Sequence, residues 1–164
     1  MRIQILYILC LSLFTLNINA QNKSLPSVEV KTLTGKKINI QSIENDGNPI
    51  IINFWATWCK PCKQELNNIA EVYDDWQDET GVKIIAISVD DSRTSSKVAP
   101  YVNSADWEYE IYLDPNKELA RALGVSSMPH TLLLDENKNI VWQHRGYVPG
   151  DEDKLIDQVK KISK

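Results

Sequence analysis

The segment Trp55-Ala56-Thr57-Trp58-Cys59-Lys60-Pro61-Cys62-Lys63-Gln64-Glu65 constrains this chain more than any other stretch. It joins the apolar run Ile50 to Trp55, which reads as a strand covered on both faces, to a segment in which Cys62, Leu66, Ile69, Tyr73 and Trp76 recur at helical spacing before Gly81. A pair of closely spaced cysteines therefore stands where a central strand turns into a helix. Such a pair can be a structural crosslink, half of a metal site or a redox centre. So small a loop removes little entropy from the unfolded chain, which weakens the first reading. A structural zinc site takes four ligands, and the only histidines are His130 and His144, one on each strand of a predicted hairpin, which weakens the second.

The flanking pattern supplies the rest of an α/β order. Val28, Val30, Leu33, Ile38 and Ile40 alternate with polar residues around Thr34-Gly35 and predict a β-hairpin. Val82 to Val89 reads as a second buried strand, so strand, helix and strand form a right-handed βαβ unit with parallel strands. A weaker helix is expected at about Ser95 to Ser104, disturbed by Pro100. Glu110 to Leu113 is a short strand, and a helix starts at Asp114-Pro115-Asn116 and runs through Leu123 to Gly124. His130 to Leu134 and Ile140 to His144 form a hairpin, and Leu155, Ile156, Val159 and Ile162 mark a closing amphipathic helix over Glu152 to Ile162.

The 164 residues accommodate one folded domain and a targeting segment. A formal net charge of −4 argues against nucleic acid as a partner. Arg2, the apolar run Ile5 to Leu16 and the small residue Ala20 have the layout of a secretory signal peptide, giving residues 1–20 as the signal and 21–164 as the domain. The run is shorter than the roughly 18 residues of a spanning helix, so an uncleaved membrane anchor is the lesser alternative. Cys10 lies within the run as an apolar signal residue, and the exported chain retains only Cys59 and Cys62.

Without its hairpin and its central helix and strand, the order reduces to β-α-β-α-β-β-α with a Cys-x-x-Cys between the first strand and first helix. This resembles the thioredoxin fold. Asn53-Phe54-Trp55-Ala56-Thr57-Trp58-Cys59-Lys60-Pro61-Cys62-Lys63-Gln64-Glu65, Gly124-Val125-Ser126-Ser127-Met128-Pro129-His130-Thr131-Leu132-Leu133-Leu134-Asp135, the N-terminal hairpin and the central insertion are similar to the TlpA/ResA group of secreted thiol-disulfide oxidoreductases. The resemblance covers about residues 25–162. It implies a mixed sheet flanked by helices, with the cysteines as a redox-active disulfide.

A disulfide exchanger needs an accessible cysteine of lowered pKa and a second one to resolve the mixed disulfide. Cys59 at a helix N-terminus, near Lys60 and Lys63, meets the first need, and Cys62 one turn inward meets the second. Pro61 in the first turn costs no intrahelical hydrogen bond. Where thioredoxins carry a buried acid, the corresponding residue is Asn53, which cannot titrate. Glu65 matches the glutamate that follows the motif in ResA-like proteins, and a half-buried carboxyl there would have its pKa raised toward neutrality. The bland reading is a solvated first-turn glutamate.

The resemblance further makes Pro129 a cis-proline facing the cysteines, with the Met128 backbone offered to a substrate strand. Trp58 shields the disulfide and gives substrate an apolar lip, or else packs, and Trp55 packs on the strand end. His130 either tunes Cys59 or points away. His144 and Trp107 carry no specific signal.

The expected activity is exchange with disulfide-bearing protein substrates in the periplasm or another extracytoplasmic space, without cofactor or metal. The resemblance implies a reductase, often of apocytochrome c cysteines, fed by a membrane thiol carrier, and the protein is expected to act as a monomer. Two rivals are a metallochaperone holding copper through Cys59, Cys62 and a histidine, and a thiol peroxidase. The peroxidase reading is disfavoured because Thr57 stands two residues before Cys59, not three as in Thr-x-x-Cys.

Overall fold

The computed structural model describes residues 23–164; the predicted signal, residues 1–20, lies outside them. The strands are β1 (Glu29–Thr32), β2 (Lys37–Asn39), β3 (Ile50–Trp55), β4 (Lys83–Ser88), β5 (Glu110–Leu113), β6 (His130–Leu134) and β7 (Ile140–Arg145). The helices are α1 (Lys60–Ala70), α2 (Tyr73–Thr80), α3 (Val98–Ala105), α4 (Glu118–Leu123) and α5 (Asp151–Ile162). The strands form one sheet in the order β2-β1-β5-β4-β3-β6-β7. β3 lies between β4, with which it is parallel, and β6, with which it is antiparallel.

This arrangement follows from where apolar residues are continuous. All six residues of β3 are buried, as are all five of β6, whereas the edge strand β7 alternates. Two covered faces need helices on both. α1 packs on β3 and in turn against α2 and α5, while α4 lies over β1. The hairpin β1–β2 joins the sheet through β5, which places it at the edge remote from β6 and β7.

Three local expectations need correction. The single helix expected up to Gly81 is two helices, broken at Glu71 and Val72, where Val72 N–H bonds back only three residues to the Ile69 carbonyl. The break brings the Tyr73 hydroxyl to the start of β4, where it accepts from Ile84 N–H at 3.0 Å. α2 still ends at Gly81, whose φ of +66° lies in the left-handed region that favours glycine at a helix C-cap. Pro100 does not disturb α3, because it occupies the first turn after a 3₁₀ turn at Ser95–Lys97 and no α-helical hydrogen bond is lost there. α4 begins at Glu118, later than Asp114, because the buried Asp114 carboxylate accepts from Glu118 N–H at 2.7 Å and Ala120 N–H at 2.9 Å.

Candidate active site

The site is assembled at the C-terminal end of β3. There the chain makes a tight turn, closed by Cys59 N–H donating to the Ala56 carbonyl at 3.0 Å, and enters α1. Cys59 is the N-cap of α1, and its sulfur accepts from Cys62 N–H at 3.3 Å. It therefore stands against the unpaired amides and positive dipole end of the helix, the setting that stabilises a thiolate. Cys59 and Cys62 form a disulfide, with Cα atoms 5.4 Å apart. Cys59 retains 6% exposure and Cys62 none, so attack from outside can reach only the first sulfur.

Behind Cys62 lies a buried carboxyl. Glu65 follows one turn along α1, on the same helix face, and is 4% exposed, deeper than the half-buried setting expected of it. Asn53 of β3 and Thr131 of β6 are direct partners across the antiparallel register, so both side chains meet Glu65. Asn53 Nδ2 donates to Glu65 Oε2 at 2.9 Å and Thr131 Oγ1 donates to Oε1 at 2.8 Å, while Asn53 Nδ2 also reaches Thr131 Oγ1 at 2.9 Å. Burial pushes the Glu65 carboxyl up to about 7, against the lowering effect of these two donors and with a further push from Asp151 and Glu152. A carboxyl of that pKa takes and releases a proton near neutral pH.

The surroundings sort the other candidates. Trp58 is 57% exposed beside Cys59. Trp55 is wholly buried, its ring 4.9 Å from that of Trp107 and 5.7 Å from that of Tyr101. Trp107, which carries no sequence signal, closes this cluster by donating its indole N–H to Asn67 Oδ1 at 2.9 Å. Lys63 Nζ lies 5.1 Å from the centre of the Tyr101 ring. The Met128-Pro129 peptide is cis, Pro129 is buried, and its carbonyl accepts from Gly146 N–H at 2.9 Å.

His130 pairs with Phe54, one residue out of step with the Asn53 and Thr131 pair, so it faces the side of the sheet away from Glu65. It is buried beside Gln143, with Nε2 3.3 Å from Gln143 Oε1, and burial holds its pKa below the usual histidine value. His144 instead meets Asp151 at 3.2 Å. Among the described residues, no group of three or more His, Cys, Asp or Glu side chains is gathered as a metal ion would require.

One residue escaped the sequence reading. Asp90, two residues past β4, is fully buried and accepts from Thr57 N–H at 2.8 Å and Thr57 Oγ1 at 2.7 Å, in the turn before Cys59. The signal that could have found it is an acid directly after the apolar run Val82 to Val89, at the end of the strand parallel to β3.

A sheet with this order, a disulfide at the N-terminus of the helix after its central strand and a cis-proline directly before the neighbouring strand define a thioredoxin-like thiol-disulfide oxidoreductase. Residues 22–143 match the AhpC/TSA family, and the chain belongs to that family. Among curated relatives it is similar to the thiol-disulfide oxidoreductase ResA of Bacillus thuringiensis subsp. konkukian, 31% identical over 141 residues that span 86% of this chain and 78% of the relative. Among solved structures it is similar to an uncharacterized thioredoxin-like protein from Porphyromonas gingivalis, with 46% identity, a TM-score of 0.76, and coverage of 85% of this chain and 91% of that one. It is also similar to StoA from Bacillus subtilis, with 26% identity, a TM-score of 0.63, and coverage of 80% and 99%.

Proposed function

We propose that this oxidoreductase is a reductase of protein disulfides outside the cytoplasm, including those of apocytochrome c cysteines, and that it is recharged by a membrane thiol carrier and works as a monomer. The exported location rests on the signal-like residues 1–20 and on the kinship with ResA. The observation that carries the chemistry is the buried Glu65 carboxyl, one turn beyond the resolving cysteine, with its pKa pushed to about 7.

In the forward direction the Cys59 thiolate attacks one sulfur of a substrate disulfide. A bond forms between Cys59 and that sulfur, and the other substrate sulfur leaves as a thiolate and takes a proton. Glu65 in its carboxylate form then accepts the Cys62 proton. The Cys62 thiolate attacks Cys59, the second substrate thiolate leaves, and the protein holds the Cys59–Cys62 disulfide. Two electrons have passed from the protein dithiol to the substrate. Trp58, Met128 and Pro129 form the lip against which the substrate chain lies, a role supported by the exposure of Trp58. The peroxidase reading gains nothing from Thr57, whose hydroxyl is donated to Asp90.

An equilibrium titration of Cys59 and Cys62 against glutathione tests the direction. A potential at or below that of the glutathione couple is the expected result, whereas one near the strongly oxidising value of DsbA, about −120 mV, makes the protein an oxidant.

A further inference from the structure

Asp90 is an acid with no exposed surface and, among the described residues, no ion pair. All its side-chain partners are neutral donors: Thr57 N–H and Ser88 Oγ on Oδ2, at 2.8 and 2.9 Å, and Thr57 Oγ1 on Oδ1 at 2.7 Å. Its own N–H donates to Ser88 Oγ at 3.1 Å. Thr57 is the residue after Ala56 in the turn that Cys59 closes, so one carboxylate grips that turn by both its backbone and its side chain. Val89 N–H, donating to the Trp55 carbonyl at 2.9 Å, carries the register of β3 and β4 up to the same point. A hydroxyl or amide could brace the turn, but a buried charge is costly unless it is used.

We propose that Asp90 is a positioning residue for Cys59: it fixes the turn that presents the attacking sulfur and places beside that turn a negative charge which biases the pair toward the disulfide. The bias follows from charge. Reducing the disulfide by two electrons gives a dithiol whose Cys59 carries negative charge in its reactive thiolate form; a nearby carboxylate disfavours that form. Lys60 and Lys63 on α1 oppose it, Lys63 being set over the Tyr101 ring, while Glu65 lies beyond Cys62, His130 follows Pro129 on the opposite face, and Asp91 is paired with Arg93. The inference rests on Cys59 being the attacking thiol.

The test is the equilibrium constant of the full chain with reduced and oxidised glutathione at pH 8. Asp90→Asn keeps an oxygen for Thr57 N–H and Ser88 and offers its amide to Thr57 Oγ1, which can accept instead of donate. It is expected to shift the constant toward the dithiol by about tenfold, equal to about 30 mV. Ser88→Ala leaves the charge and removes one donor from it, and is expected to shift the constant the other way by about twofold. A merely structural brace would lower the melting temperature of both variants and leave their constants at the wild-type value; that result overturns the inference. Should Asp90→Asn fail to fold, the sign of the Ser88→Ala shift decides alone. Alkylation of the reduced wild type keeps the two readings apart: modification of Cys62 before Cys59 sinks the assignment of the attacking thiol, whereas Cys59 first with unmoved constants sinks only the role of Asp90.

Discussion

The region behind Cys62 and the turn ahead of Cys59 each bury one carboxyl group, and the two are held by different means. Glu65 is clasped by the side chains of two strands, an amide from β3 and a hydroxyl from β6, with the acids Asp151 and Glu152 of α5 adding their repulsion. Asp90 is clasped by a backbone N–H and a hydroxyl of Thr57, in the turn it braces, and by the hydroxyl of Ser88 at the end of β4. The first arrangement leaves the charge state open near neutral pH. The second ties an acid to the backbone whose shape it sets. In the mechanism we propose, the difference divides the labour of exchange: proton transfer behind the resolving sulfur, and fixed geometry ahead of the attacking one.

Removing the attacking sulfur should erase the comparison altogether. Cys59→Ser is expected to lower reduction of insulin disulfides by at least about a thousandfold, and a variant that retains the activity shows that the nucleophile lies elsewhere.

Glu65→Gln isolates the proton-bearing side, first through stability. Between its ordinary value of 4.5 and its folded value of about 7, Glu65 keeps its proton in the folded protein and loses it in the unfolded chain. The folded state thus binds more protons, and stability falls as pH rises through this window, by about 3 kcal/mol in all. Urea unfolding of the oxidised protein at pH 4 and pH 8 should show that loss in the wild type and not in Glu65→Gln. The same variant should resolve mixed disulfides about a hundredfold more slowly at pH 7, with the rate no longer rising through a step near pH 7. An unchanged pH profile in stopped-flow exchange removes Glu65 from the mechanism.

The smallest expected effect sharpens the contrast between the two clasps. Thr131→Val deletes the hydroxyl that donates to Glu65 Oε1 and accepts from Asn53. Stability should drop by about 1 kcal/mol at pH 8. Because the lost bond favours the carboxylate, the pH midpoint of exchange should move up; a downward move contradicts the clasp.

What could be read from sequence, and what could not, divides along the same line. The strands β3, β4 and β6 were legible because continuous apolar runs bounded by turn residues have one compact solution, and the cysteines and Glu65 were legible because one helical turn separates each from the next. Asn53 was identified as a residue that cannot titrate, but not as a donor to Glu65. That contact depends on Thr131, 66 residues beyond Glu65, and on a strand register that no local pattern encodes. Asp90 was invisible for the same reason, since Thr57 lies 33 residues away. The break between α1 and α2 was missed because neither glycine nor proline marks it; Glu71 and Val72 yield to the reach of Tyr73 for the backbone of β4.

The full burial of β3 has a consequence for how the protein moves. Its backbone amides lie in the interior of a seven-stranded sheet, with paired neighbours on both sides, and should be among the last to exchange with solvent deuterium, opening only when the whole molecule opens. Trp58, three residues past the end of that strand, is more than half exposed. The reactive sulfur thus sits at a boundary between the slowest-exchanging backbone and open water, so the redox cycle can run on a scaffold that never has to loosen.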